Sequence, residues 1–118
     1  MHESTQEALT RELEEEISGT PIVGNLLWIT ENFFTPDQTP YHTVEFYYAF
    51  TLAGPHPLLS HDTYHSELFE NGIVKQFNFR WFTPDEIASV PIRPPGLKKI
   101  LFDPLRNSSL VHHLIIRE

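Results

Sequence analysis

The sequence predicts an α/β domain, and three observations carry that expectation. Leu9, Leu13 and Ile17 recur every fourth residue, the stripe that an amphipathic helix over about 5–17 must bury. Residues 22–34, 41–52 and 73–82 are dense in β-branched and aromatic side chains, the composition of strands. Thr83-Pro84-Asp85-Glu86 then opens a further helical stretch, and Leu110–Ile116 is a compact β-branched tail.

Each element has a local cause. Ser4 followed by Glu7 forms a capping box, and acidic residues in the first turn suit the helix dipole. Gly19 and Pro21 end that helix. The strand at 22–34 and the aromatic strand from Tyr41 to Leu52 flank Pro-Asp-Gln-Thr-Pro at 36–40, so they predict an antiparallel hairpin with a wide connection. Residues 54–72 carry Gly, Pro, His and Asp at loop frequency and are expected to be poorly regular. A third strand is expected over 73–82. Thr83 is the expected N-cap of the next helix, with Pro84 in the first turn and Glu86 as capping-box partner. A last helix is expected over 95–102 and a closing strand over 110–116.

Composition narrows the function classes. The 118 residues predict a single domain over 1–118, long enough for a modest core. Zero cysteines exclude disulfides and thiolate metal sites and fit a reducing cytosol, so a cytoplasmic location is expected. No run approaches the ~18 apolar residues of a membrane span. A net charge of −8 with only eight scattered basic residues argues against a nucleic-acid surface.

Residues 11–16, Arg-Glu-Leu-Glu-Glu-Glu, hold the chemistry. Glu12, Glu15 and Glu16 stand three and four apart and line one helix surface, where like charges repel. A hard divalent cation such as Mg²⁺ or Mn²⁺ turns that repulsion into affinity. The competing reading is an ordinary solvated acidic face.

The stretch from Glu3 through Arg11-Glu12-Leu13-Glu14-Glu15-Glu16-Ile17 resembles the latter part of the Nudix box, with Glu3 seven residues before Arg11 as that pattern requires. Ser18 stands where the box has its second Gly, with Gly19 one position later, and His2 stands where Gly is common. The box's opening Gly would precede Met1. Glu31-Asn32-Phe33-Phe34, Pro40-Tyr41-His42, Phe79-Arg80-Trp81-Phe82 and His112-His113 follow in an order similar to one bacterial branch of the family. The resemblance implies a Nudix-like α/β/α sandwich with a mixed sheet, lacking the usual leading strands. A shortened chain, a natural short form, and a partner chain that supplies the missing sheet are all compatible with that beginning, and exposed sheet edges make a homodimer the expected assembly.

The resemblance also implies a function. Nudix enzymes hydrolyse a diphosphate joined to another moiety, so the expected substrate is a nucleoside-diphosphate-linked small molecule and the expected cofactor Mg²⁺ or Mn²⁺. Carried over by position, Glu15 and Glu16 are the principal metal ligands, and Glu12 is a further ligand or the base for the attacking water. Arg11 holds a carboxylate, with Glu3 the candidate. A catalytically weak or inert nucleotide-binding module is the alternative. His42 and Phe34 are candidates for contacting substrate, and Phe33, Tyr47 and Trp81 for stacking on a base; a structural histidine and a plain aromatic core are the competing readings. His61 and His65, four apart in a Pro-rich stretch, make only a poor zinc motif.

Overall fold

The structure, a computed structural model, describes residues 2–102 and 111–117. In chain order the elements are α1 (Thr5–Ile17), β1 (Thr20–Phe34), β2 (Tyr41–Ala53), β3 (Thr63–Glu70), β4 (Ile73–Arg80), α2 (Pro84–Ser89), α3 (Leu97–Leu101) and β5 (His112–Arg117). Short 3-10 turns at Pro36–Gln38 and Pro57–Leu59 lie in the connections. The expected closing strand is β5, and Leu110, its expected first residue, lies outside the described residues. The chain forms two compact units, Met1–Gly24 with Phe50–Thr83 and Asn25–Ala49 with Pro84–Glu118, and β1 and β2 contribute residues to both.

The first unit is built on α1. The capping box is formed: the Glu7 amide donates to Ser4 Oγ (3.2 Å) and the Ser4 amide donates to Glu7 Oε2 (2.8 Å). Leu13 and Ile17 are buried with Leu58, and Leu9, Val23, Leu52, Tyr64 and Phe79 pack around them. The helix's last carbonyls find side-chain partners. His56 Nε2 lies 2.5 Å from Ile17 O, while the Leu58 amide donates to His56 Nδ1, so the imidazole carries its proton on Nε2. Ser66 Oγ donates to Glu16 O. These contacts satisfy groups that every helix end leaves open.

Residues 54–72 are more regular than their composition predicts. β3 occupies 63–70 and pairs antiparallel with β4, from Thr63 opposite Arg80 to Glu70 opposite Ile73. Asn71 and Gly72, both at positive φ (51° and 77°), make the two-residue turn. That is the Asn-Gly hairpin geometry, in which both central residues are left-handed to match the strand twist.

The second unit contains a three-stranded sheet in the order β2-β1-β5. β5 runs parallel to β1, with Trp28 opposite His112 and Phe33 opposite Arg117. Contacts between β1 and β2 step in opposite directions: Phe34 stacks on Tyr41, Phe33 on His42, and Trp28 meets Tyr47. β2 is therefore antiparallel to β1, and the sheet is mixed, as an α/β fold of the expected class requires. Strand alternation sorts the residues of β1. Trp28, Thr30 and Asn32 are buried on one face, and Ile29, Glu31 and Phe33 are half-buried on the other. Trp28 and Leu97 form the core with Tyr47, Ile92, Leu101 and Leu114 around them. Gly96 lets α3 approach β5, since a Cβ there would fall 2.9 Å from Ile116 Cγ1.

Candidate functional site

The acidic face of α1 is organised by Arg11. Its Nε lies 2.9 Å from Glu3 Oε1 and its Nη2 lies 3.2 Å from Glu3 Oε2, a bidentate pair that joins the segment before the helix to its middle. The guanidinium holds the Glu3 carboxyl below its ordinary pKa. Arg11 also reaches Glu15 at 3.7 Å and Glu12 at 4.0 Å. Glu12 and Glu15 are solvent-exposed, whereas Glu16 is partly buried. Burial raises the Glu16 carboxyl above its ordinary range, and the Glu12 and Glu15 charges add to that rise, with Lys75 opposing it.

Three hard oxygen donors on one face, one of them destabilised by the charge of the other two, fit a divalent cation by their chemistry. Among the described residues, no three His, Asp or Glu side chains converge on one point as they stand. Glu12 and Glu15 are exposed side chains beside Arg11.

The second unit offers a different kind of site on the buried face of β1 and β2. A cleft of about 750 Å³ is lined by Asn32, Phe34, Thr43, Glu45 and Tyr47 of the hairpin and by Arg93 and Pro94. Glu45 collects three hydroxyls: Tyr47 Oη donates at 2.5 Å and Thr30 Oγ1 at 3.3 Å to Oε2, and Thr43 Oγ1 donates at 3.4 Å to Oε1. Burial, together with the hydrogen bond to Glu45, pushes the Tyr47 hydroxyl far above its ordinary pKa, so it remains a donor. Asn32 is 6% exposed, and its Oδ1 is buried without a hydrogen-bond partner.

The two residues expected at the substrate separate. Phe34 lines this cleft, whereas His42 lies on the opposite face of the sheet, stacked on Phe33 with ring centroids 4.2 Å apart. There Glu31 bridges two imidazoles across three strands, His42 Nε2 at 3.2 Å and His113 Nε2 at 2.9 Å. His61 and His65 do not share a helix face. His61 follows a 3-10 turn and His65 sits on β3, where its Nδ1 meets Asn78 Oδ1 at 2.7 Å. Thr30, Asn32 and Glu45 were not anticipated from the sequence, although two polar residues at alternate positions of a strand's buried face are a visible signal.

Among the described residues no helix is long and apolar enough to cross a membrane. No curated protein matches the chain. The NUDIX domain profile matches residues 1–103, and that span contains both the acidic helix with its Glu3–Arg11 pair and the hairpin cleft. The chain belongs to the Nudix family of hydrolases.

Proposed function

We propose that this chain is a Mg²⁺- or Mn²⁺-dependent Nudix hydrolase that cleaves the diphosphate of a nucleoside-diphosphate-linked small molecule by attack of water at phosphorus. The observation that carries the reading is the acidic face of α1, with Glu12, Glu15 and Glu16 on one surface and Arg11 locked to Glu3. Family membership supports the hydrolase class, and divalent metals are general in that class.

Glu15 and Glu16 supply the hard oxygens that hold the ion. When bound, the ion neutralises phosphate charge and makes a water more acidic. Glu12 accepts the proton of the attacking water. Arg11, fixed by its bidentate grip on Glu3, keeps the neighbouring carboxylates from spreading apart and holds the incoming loop against the helix. Such a site works by orientation and charge, since phosphoryl transfer leaves the protein little covalent chemistry.

A nucleotide-binding module without turnover is the second reading, favoured by the carboxylates not converging as they stand. Titrating Mn²⁺ into the chain by calorimetry, with Glu15→Gln as control, and following phosphate release from nucleoside-diphosphate-linked compounds separates the two. Saturable binding abolished by Glu15→Gln, together with metal-dependent turnover, is expected. Nucleotide binding without turnover establishes the module.

A homodimer is proposed alongside. Val44, Phe46 and Ile115 are large and exposed on the Glu31 face of the sheet, an apolar surface that a second copy would cover. Sedimentation of a compact, stable monomer would exclude it.

A further inference from the structure

We propose that the cleft over Asn32 and Glu45 binds a nucleobase carrying an exocyclic amine and rejects the keto base of the same shape. The proposal deepens the nucleotide-hydrolase reading and rests on it for the natural ligand, but the cleft's own binding needs neither metal nor turnover.

The cleft, at about 750 Å³, has room for a nucleoside and lies in the range of small-molecule sites. Phe34 and Pro94 give it apolar walls suited to a planar ring. Apart from Arg93, an exposed side chain on the wall that has a partner of its own, its polar chemistry is one-sided. The hydroxyls of Thr30, Thr43 and Tyr47 all lie within donating distance of Glu45, Thr30 also lying against the Tyr47 hydroxyl. A carboxylate offers about four lone-pair directions, so Glu45 retains acceptor capacity after three bonds. The remaining direction is on Oε1, which accepts only from Thr43 among these hydroxyls.

Asn32 adds a second acceptor. It faces the same side of the sheet as Glu45, because Phe34 meets Tyr41 and Thr30 meets Glu45, which sets Asn32 opposite Thr43. Its Oδ1 is buried with no donor, an arrangement native proteins rarely leave without a purpose. The terminal torsion of an Asn side chain has broad wells, so the amide can turn its oxygen to a ligand lying against it. Two acceptors in want of donors, between flat apolar walls, ask for an amine on an aromatic ring. An –NH₂ group donates to both acceptors at once; a keto oxygen in its place would face the Glu45 carboxylate with no donor between them, and Asn32 could meet it only by turning its amide nitrogen outward and giving up the second acceptor.

Isosteric nucleosides test this. Cytidine and uridine differ at the 4-amino or 4-keto position and the adjoining ring nitrogen, and adenosine and inosine differ in the same way at position 6. NMR titration of the full chain, without metal, is expected to show at least a tenfold preference for cytidine over uridine and for adenosine over inosine. Asn32→Leu removes one of the two acceptors and is expected to lower that preference while the chain still folds. Equal affinities within both pairs, no saturable binding of any of the four, or a preference unchanged by Asn32→Leu would overturn the proposal. If Asn32→Leu does not fold, the wild-type pairs decide alone. Base preference without metal-dependent hydrolysis would sink the hydrolase reading and leave the cleft; hydrolysis without base preference would do the reverse.

Discussion

Glu16→Gln should move stability and metal affinity in opposite directions. Gln keeps the shape of the side chain and removes its charge. Without metal that charge is a burden: Glu16 lies in the last turn of α1, where no basic residue offsets the negative end of the helix dipole. It is also four residues from Glu12, a like-charge pair, and its carboxyl is raised by burial and by both neighbouring carboxylates. The pair and the dipole together, less the attraction to Lys75, put the relief at about 0.5–1 kcal/mol. For a domain of this size that is a rise of about 2–5 °C in melting temperature. With metal the same charge becomes a ligand. One unit charge about 4 Å from a divalent ion in a water-like dielectric contributes about 2 kcal/mol, so its loss weakens Mn²⁺ binding roughly thirtyfold. Thermal melts of both proteins across a Mn²⁺ series read the two effects in one assay, since a ligand that binds only the folded state raises the melting temperature with its concentration. The expected curves cross: Glu16→Gln melts higher without metal and lower at saturating metal for the wild type. Parallel curves would refute the metal platform, and a variant that melts lower without metal would make Glu16 a structural residue.

Ser18 caps α1 in the left-handed region (φ 50°, ψ 42°), so Ser18→Gly should stabilise the chain by about 0.5–1 kcal/mol, read from chemical denaturation. Gly19→Ala should act the other way, by about 1–3 kcal/mol, because the new Cβ would fall 2.9 Å from His56 Cδ2. That ring cannot retreat without giving up Ile17 O or the Leu58 amide. Glu7 has its pKa lowered by the Ser4 amide and hydroxyl, so the folded state favours its charged form. Its contribution is therefore complete above the ordinary value of 4.5 and lost as pH falls through the lowered folded value. The difference in melting temperature between wild type and Glu7→Ala should accordingly be flat at neutral pH and shrink below about pH 4.5. A gap that stays constant into acid would assign the Glu7 effect to something other than its charge.

What could be read from the sequence is what is encoded within a few residues. The start of α1, its buried stripe and the placing of its carboxylates follow from Ser4, Glu7, Leu13 and Ile17 with the spacing of the Glu residues, because capping and helical spacing act over three or four positions. β3 was concealed for a compositional reason: Gly54, Pro55, Pro57 and Asp62 belong to a true connection, and a window over 54–72 blends it with a strand. The Asn71-Gly72 turn and the inward alternation of Tyr64, Ser66 and Leu68 were the better guide. The cleft was hidden for a different reason. Its members sit on two strands, and which of them meet depends on the register of β1 against β2. Two residues of the connection between those strands, Asp37 and Gln38, take positive φ that neither residue type strongly demands. Register also decides why Phe34 and His42 part company. Phe34 pairs with Tyr41 and Phe33 with His42, so a single step along the pleat sends one candidate into the cleft and the other to Glu31 on the far face. A metal face carried by one helix survives ignorance of the fold, whereas a cleft shared by two strands exists only once their pairing is known.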